Sequence, residues 1–424
     1  MLTDRYDNKL STSSPTARDL YVKAIDCLIS ADAHMEQGFQ AAIDADAGFA
    51  LAYSGLARAR QLSGNPTGAR DAMRAAQELS EKLPTQEAAH IHVMSLLICG
   101  KMQEAYKAIR AHAAEYPRDV MIAQICTSVF GLIGFSGQPG REAELLAYTT
   151  SLAPHYGDDW WFLSMHAFSY LETGQTARGT ALIDQSLAIR PRNANAAHIK
   201  AHVHYETGET KAGTAYLENW LRDYDRAGLL HGHMSWHVAL WALEQGDTDR
   251  MWQMVDDNVI PGVALGLPIN IVTDTASILY RAELMGETVA PERWAQISTY
   301  AKQFFPKTGI GFVDVHAALA HAMAGDSDAL ENIRATAAGP AADLVGEFAQ
   351  AYGAIAQQNW AEATAHLTVA MADHARIGGS RAQRDLLEYS LLQTLLKQDR
   401  ADEAKRLLAL RRPVQAGTQP VYGM

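Results

Sequence analysis

Eight glycines recur along the chain at nearly constant spacing, and each stands in a short polar turn between two helix-like stretches. The spacings between successive glycines are 36, 37, 37, 34, 38, 40 and 39 residues. The eight are Gly64, Gly100, Gly137, Gly174, Gly208, Gly246, Gly286 and Gly325. This period is close to the roughly 34 residues of the tetratricopeptide repeat, a helix–turn–helix unit. The spacing therefore predicts an array of helical hairpins.

Other residue types keep the same register relative to these glycines. Small residues recur at two fixed offsets, where they allow paired helices to approach closely. Alanine stands seven residues before five of the glycines, and alanine or glycine stands five residues after four of them. Proline stands seventeen residues after three of them, at Pro117, Pro154 and Pro191. Proline lacks an N–H and restricts the residue before it, so we expect it to end the second helix of each hairpin.

Apolar residues at helical spacing fill the stretches between the turns, and no stretch shows the alternation of a strand. We therefore predict an all-α tetratricopeptide-type α-solenoid of about ten helical hairpins. The array is expected to form a single domain over 14–412, after a frayed segment 1–13 and before a C-terminal tail 413–424. Whether the solenoid curls around a central groove or cavity is left open by the sequence.

Composition excludes several classes of function. The chain has 36 Lys and Arg against 48 Asp and Glu, a formal net charge of −12. This balance argues against binding to nucleic acid or to an anionic membrane surface. Three scattered cysteines are too few for a disulfide framework. No secretory signal and no apolar run of about 20 residues is visible, so we expect a cytoplasmic protein.

Histidines concentrate in a few first helices, which line the concave surface of such arrays. His198 and His202 are four residues apart, and His233 and His237 repeat that spacing in the next first helix. Residues four apart share a helix face, so the two pairs can converge on one point. The four imidazoles are predicted either to bind a divalent metal such as zinc, iron or manganese, or to perform acid–base catalysis. No HExxH motif accompanies them.

Further candidates lie on other first helices. Asp314 and His316 are predicted to join the catalytic histidines, and an aromatic, acidic and basic set is predicted to hold the substrate. That set is Glu206, Trp236, Tyr280, Arg281 and Arg384. An arginine is suited to an acidic substrate because guanidinium forks onto carboxylate or phosphate. The alternative for His92, His166 and His321 is packing, and for His204 simple solvation.

A glycine turn, Gly378 and Gly379 with Ser380, leads into one of the last helices. Free backbone N–H groups at such a helix start can hold an anion, and a plain capped connection is the alternative.

Several segments together resemble tetratricopeptide repeat protein 38 and its bacterial relatives. They are AAHIKAHVHYETGE, HMSWHVALWALEQGD, DTASILYRAE with the later ERW, VDVHAALA and IGGSRAQRD. The resemblance implies an all-helical repeat fold and an intracellular protein. It also implies family positions, but not for His231 or His321. These positions are His198, His202, His204, Glu206, His233, Trp236, His237, Asp274, Tyr280, Arg281, Asp314, His316, Gly378, Gly379, Ser380, Gln383, Arg384 and Asp385. It supplies no reaction.

Two functions follow from this sequence. In the first, a pocket lined by histidine, tryptophan and acid binds a small acidic molecule and acts on it as a hydrolase or lyase, so the protein is an enzyme. In the second, the array is a non-catalytic scaffold that binds a peptide or partner protein. Residue type favours the first, since peptide-holding grooves tend to present Lys, Arg and Asn. A homodimer is compatible with either.

Overall fold

A computed structural model describes residues 2–424. It confirms the predicted fold class, because helices run through almost all of the described chain and follow one another as eleven consecutive hairpins. Two units are distinguished by their internal packing. Unit 1 comprises the described residues up to Ile133, with Glu142–Ile199 and Tyr224–Leu230. Unit 2 comprises Gly134–Arg141, Lys200–Asp223 and His231–Met424. The sequence pattern alone predicts one array over 14–412.

The first eleven helices are α1 Pro15–Ile29, α2 Met35–Ala45, α3 Ala50–Leu62, α4 Pro66–Glu78, α5 Thr85–Ile98, α6 Met102–Glu115, α7 Val120–Ala123, α8 Arg141–Tyr156, α9 Trp160–Glu172, α10 Thr176–Ile189 and α11 Ala194–Thr207. The remaining helices are α12 Thr210–Leu221, α13 His231–Glu244, α14 Thr248–Asn258, α15 Pro268–Leu284, α16 Pro291–Phe304, α17 Gly311–Met323, α18 Ser327–Thr336, α19 Ala342–Ala356, α20 Trp360–Ala370, α21 Arg381–Leu396 and α22 Ala401–Arg411.

The eight periodic glycines stand at the turns within hairpins, as the spacing predicts. All of them have φ between +70° and +93°, the left-handed region that ends a helix most cheaply with glycine. Asn65, Asp247 and Asp326 then cap the helices that follow three of these turns. Pro117 and Pro191 lie just beyond the ends of α6 and α10, whereas Pro154 lies within the last turn of α8.

The fourth hairpin departs from the regular pattern. Its first helix is only α7, followed by a 3-10 turn at Gln124–Cys126 and irregular chain to α8. Four glycines and a proline occupy residues 131–140, and both residue types disfavour helix. Gly131 also approaches the carbonyl of Ile125 so closely that a Cβ would lie 2.5 Å from its oxygen. A standard first helix therefore does not form here.

Both ends of the described chain are folded. A short antiparallel hairpin pairs β1, Leu2–Thr3, with β2, Lys9–Leu10, and the Leu10 side chain is buried. At the other end the segment after α22 forms a 3-10 turn, buries Val421 and donates a hydrogen bond from the Tyr422 amide to the Leu284 carbonyl at 2.7 Å. The predicted frayed start and loose tail are therefore ordered where the structure describes them.

First helices of unit 2 pack against one another. Helix α13 contacts α15, α15 contacts α17, and α15 also contacts α21, six helices further along the chain. The inner face of this unit is consequently an interior rather than an open groove, which explains why so many polar side chains of these helices are buried. None of the helices in the described range is long and apolar enough to cross a membrane.

Candidate histidine metal site and neighbouring cavity

Three of the predicted histidines meet in unit 2. The ring of His237 on α13 lies 4.8 Å, centroid to centroid, from that of His202 on α11 and 5.0 Å from that of His233. Both contacts are edge-to-face. The boundary between the units falls within α11, after Ile199, so His198 belongs to unit 1 and His202 to unit 2. The two residues nevertheless lie one turn apart on the same helix.

Nitrogen atoms of all four histidines face one another. One ring nitrogen from each of His198, His202, His233 and His237 can be chosen so that all lie within 4.8 Å of one another, and all four residues are buried. We call these four residues the histidine cluster. Their separation matches ligands of one ion, since zinc–nitrogen bonds of about 2.0–2.1 Å place ligand atoms about 3–4 Å apart. The two H-x-x-x-H pairs therefore converge as the spacing predicts.

A carboxylate on a third helix orients one member of the cluster. Asp274 on α15 has its Oδ2 atom 2.7 Å from His233 Nδ1, and both side chains are buried. Trp236 stacks on the other side, with its ring 13° from parallel to that of His233. A carboxylate on Nδ1 stabilises the Nδ1–H tautomer and leaves the Nε2 lone pair available to a ligand. No local motif marked Asp274, which entered only through the family resemblance.

Burial keeps one member of the cluster, His202, in its neutral form. Loss of hydration, with a smaller contribution from His233, lowers the pKa of His202 to about 3. A neutral imidazole is the form that binds a metal, whereas a general acid near pH 7 needs a histidine that can hold a proton. The electrostatics at His202 thus suit a metal ligand better than an acid–base catalyst.

Asp314 and His316 lie on α17 and form no part of the histidine cluster among the described residues. His316 donates from Nδ1 to the Phe312 carbonyl at 2.7 Å, and burial lowers its pKa to about 4. Asp314 accepts the Gly309 amide at 2.8 Å, and burial raises its pKa to about 6. Asp314 thus binds the backbone at the start of its own helix.

The predicted substrate-binding residues divide into different surroundings. Tyr280 donates to Gln393 at 2.8 Å, Trp236 is fully buried, and Arg384 donates to the Gly379 carbonyl. Glu206 pairs with Arg412 at 3.2 Å and with Arg381 at 3.6 Å. Arg281 lies on the wall of an open space.

That space is a cavity of about 610 Å³ within unit 2. Tyr205, Trp241 and Tyr389 supply aromatic wall, Glu244 and Arg281 supply charge, and the segment Val414–Pro420 closes one side. The Trp241 ring lies 6.0 Å from that of His237, so one side chain separates the cavity from the histidine cluster. Sequence analysis missed Tyr205, Trp241, Glu244 and Tyr389, because nothing in the local pattern distinguishes them from packing residues.

Unit 1 holds a second buried polar group that the sequence did not predict. Ser54 Oγ lies 3.0 Å from His90 Nε2, and His90 Nδ1 lies 2.8 Å from Asp119 Oδ2. His112 Nε2 lies 2.8 Å from the same carboxylate oxygen. The order resembles a hydrolase triad, yet Ser54 is fully buried and the adjoining cavity holds only about 20 Å³. A substrate carbonyl has no room at Ser54, so this group is structural.

The Gly378–Ser380 turn is a capped connection, the second of the two alternatives. Ser380 and Gln383 form a reciprocal capping box at the start of α21. The Gly379 carbonyl accepts a hydrogen bond from Arg141 Nη2 at 2.8 Å. The turn thus presents a carbonyl to a cation. Three other histidines have partners within the protein. His166 forms a hydrogen bond with Thr149, His321 forms one with Ser298, and His204 pairs with Glu209 near the surface.

Comparison with solved structures aligns this chain with other helical-repeat proteins at low identity. No protein-family model matches the chain. Among solved structures, the human IFIT1 dimer with PPP-AAAA is 14% identical over 99% of this chain and 95% of that chain, with a TM-score of 0.44. Yeast Tom70 is 15% identical over 94% and 93%, with a TM-score of 0.37. The P58(IPK) TPR domain is 13% identical over 95% and 99%, with a TM-score of 0.22. These similarities concern the helical-repeat fold.

Proposed function

We propose that this protein is a metal-dependent enzyme of the tetratricopeptide repeat protein 38 family that holds one divalent ion in the histidine cluster. It acts as a hydrolase or lyase on a small acidic organic molecule bound beside that cluster. The observation that carries the proposal is the convergence of four buried imidazoles, whose nitrogens lie within 4.8 Å of one another. Neutral imidazole nitrogens are common ligands of divalent metals, and this spacing lets one ion take its ligands from the cluster.

Zinc is the ion that best fits these ligands. Imidazole suits zinc, copper, nickel and iron, whereas manganese prefers oxygen ligands. Zinc is usually four-coordinate and tetrahedral, and three histidines with one open position are a set that zinc enzymes use. Asp274, which accepts from His233 at 2.7 Å, is the carboxylate that commonly supports a zinc-bound histidine. Of the three metals predicted from sequence, we therefore rank zinc first and iron second.

The chain itself supplies orientation and a dry environment. Helices α11 and α13 fix the ring positions, Trp236 covers one face of His233, and the cavity beyond Trp241 admits a small molecule. A divalent ion held by three of the four histidines would keep one position open, and there it would polarise an oxygen of the substrate as a Lewis acid. Exclusion of water strengthens that interaction because the surrounding dielectric is low.

The packing of unit 2 argues against the alternative of a peptide-binding groove at the histidines. Peptide grooves present side chains to solvent, but all four histidines are buried and α15 contacts both α17 and α21. A small molecule bound beside the cluster is compatible with this arrangement, whereas an extended peptide lying along the four histidines is not.

Elemental analysis of tag-free protein tests the proposal. We expect about one equivalent of zinc after dialysis against zinc and removal of excess, and less than a tenth of that in His202→Ala and His237→Ala. His204→Ala is the matched control, since His204 lies on the same helix but pairs with Glu209 near the surface. Wild-type protein that retains no divalent metal, or equal metal loss in the control, would contradict the proposal.

A further inference from the structure

The wall of the cavity next to the histidine cluster contains a buried positive charge that no carboxylate of the described residues contacts directly. Arg281 on α15 is 5% exposed and forms part of the cavity wall. Its Nη2 donates to the Ala382 carbonyl at 2.7 Å, and its guanidinium carbon lies 5.1 Å from the centre of the Tyr389 ring. Within residues 2–424, no carboxylate oxygen lies within 4.0 Å of its nitrogens.

An unpaired buried guanidinium is costly unless a partner satisfies it. A cation removed from water loses its hydration, and an anion with good hydrogen-bond geometry compensates this loss more fully than a ring or a distant carboxyl group does. Arg281 uses one of its five N–H donors on the protein. The accessible part of this side chain lines the cavity. An anion that contacts the guanidinium directly is therefore expected to belong to a ligand bound there.

We infer that this cavity binds a monocarboxylic acid with an aromatic or aliphatic body, whose carboxylate pairs with Arg281. The inference deepens the proposed function. It rests on that proposal only for the assumption that the ligand is a small organic acid. The body of the ligand packs against Tyr205, Trp241 and Leu240, which form the apolar wall. A volume of about 610 Å³ is within the range of small-molecule sites.

Nearby carboxyl groups favour one negative charge on the ligand over two. Glu244 is on the cavity wall and interacts electrostatically with Arg281. Asp385 lies behind Tyr205, whose hydroxyl donates to it at 2.6 Å, and pairs with Arg412 at 3.1 Å. Burial raises the pKa of Glu244 to about 7, so its carboxyl is partly protonated at neutral pH. Glu209 and Lys211 also lie on the wall and carry opposite charges, so Arg281 contributes about one net positive charge, which a monoanion matches and a phosphate dianion exceeds.

The C-terminal segment completes the site. Val414, Gln415 and Pro420 lie on the cavity wall. Gln415 accepts a hydrogen bond from the Tyr389 hydroxyl, and Val421 is buried immediately after the wall. This segment therefore forms one wall of the cavity, where it would contact the ligand.

Binding measurements on the full chain test the inference. The probes are 3-phenylpropionate and octanoate, with 3-phenylpropanamide as the neutral analogue and phenyl phosphate as the dianion. We expect saturable binding of both carboxylates by isothermal titration calorimetry, and at least tenfold weaker binding of the amide and of phenyl phosphate. Arg281→Met should lose at least tenfold in affinity for the carboxylates, while Arg293→Met, which removes an arginine paired with Asp256 at the surface, should not.

A second variant covers the case in which Arg281→Met fails to fold. Ala212 is exposed and lies on the cavity wall, so Ala212→Trp should fill the space and abolish binding without removing a charge. His202→Ala should lose metal yet still bind carboxylate, which separates this inference from the proposed metal site. Equal binding of amide and acid, tighter binding of phenyl phosphate, or unchanged affinity in both cavity variants overturns the inference.

Discussion

Asp274 Oδ2 lies 2.7 Å from His233 Nδ1, joining helix α15 to the histidine cluster on α13 through two buried side chains. The carboxylate sets which nitrogen of His233 carries the proton and adds negative charge next to the proposed metal ligand. Hydrogen-bonded carboxylates of this kind increase the basicity of the histidine they contact. The same contact couples the metal site to α15, the helix that carries Arg281.

Asp274→Asn is expected to weaken zinc binding about 10–100-fold without unfolding the protein. The amide keeps the shape of the side chain but loses the charge that stabilises His233 as a donor. Competition with a chromogenic chelator measures the affinity. Asp314→Asn is the control, because Asp314 is also buried but binds the backbone amide of Gly309. An unchanged affinity in Asp274→Asn would mean that the carboxylate has no role in holding metal.

The Ser54–His90–Asp119 group provides a second prediction, since we assign it a structural role. Burial alone would raise the pKa of Asp119. The charge of His90 and hydrogen bonds from His112 and His90 outweigh this effect and hold the pKa of Asp119 well below its usual range. Asp119→Ala leaves two buried histidines without their shared partner and is expected to cost about 3–5 kcal/mol in the free energy of unfolding.

Ser54→Ala is the companion variant. It should cost only about 1 kcal/mol, the net value of one hydrogen bond, and should leave any hydrolytic activity unchanged. Urea denaturation measures both free energies. Labelling of Ser54 by a serine-directed phosphonate, or loss of activity in Ser54→Ala, would show that the group is catalytic.

Sequence periodicity predicts the fold well because one residue type is required at one backbone position. Each of the eight periodic glycines adopts positive φ, so the turn itself selects glycine and its spacing reports the repeat. The H-x-x-x-H pairs are visible for a similar reason: both ligands of a pair lie on one helix. Convergence of α11 and α13 then follows from adjacency in the array.

Contacts between distant repeats are not encoded in any local spacing. Asp274 meets His233 across 41 residues, and Asp119 meets His90 across 29, with nothing in either segment to indicate the partner. The cavity depends on α15 reaching α21 and on the C-terminal segment folding back against Leu284. These features depend on which distant helices contact one another, and the repeat period does not specify those contacts.

Glu244 provides a prediction about pH. Its pKa is about 7 in the folded protein, mainly because of burial, against a usual value of 4.5. Between pH 4.5 and 7 the folded state retains a proton that the unfolded state has lost, so the free energy of unfolding falls as pH rises through this range. Glu244→Gln removes that dependence.

We therefore expect Glu244→Gln to be more stable relative to wild type at pH 8 than at pH 5. The size of the effect is moderated because the side chain is accessible from the cavity. Urea denaturation at the two pH values measures the difference, with Glu104→Gln at an exposed site as background. A difference that is the same at both pH values would contradict the assigned protonation of Glu244.

Gly379 lies where backbone conformation and packing both exclude a side chain. Its φ is +76°, and a Cβ at this position would lie 2.3 Å from Phe312 Cε2. Gly325 has a similar φ of +70° with open space around it, so Gly325→Ala isolates the backbone cost of about 1 kcal/mol. Gly379→Ala adds overpacking of typically 1–3 kcal/mol and should destabilise by about 2–4 kcal/mol in all. Equal losses in the two variants, measured by urea denaturation, would mean that Phe312 moves aside freely and that the start of α21 is not held by this contact.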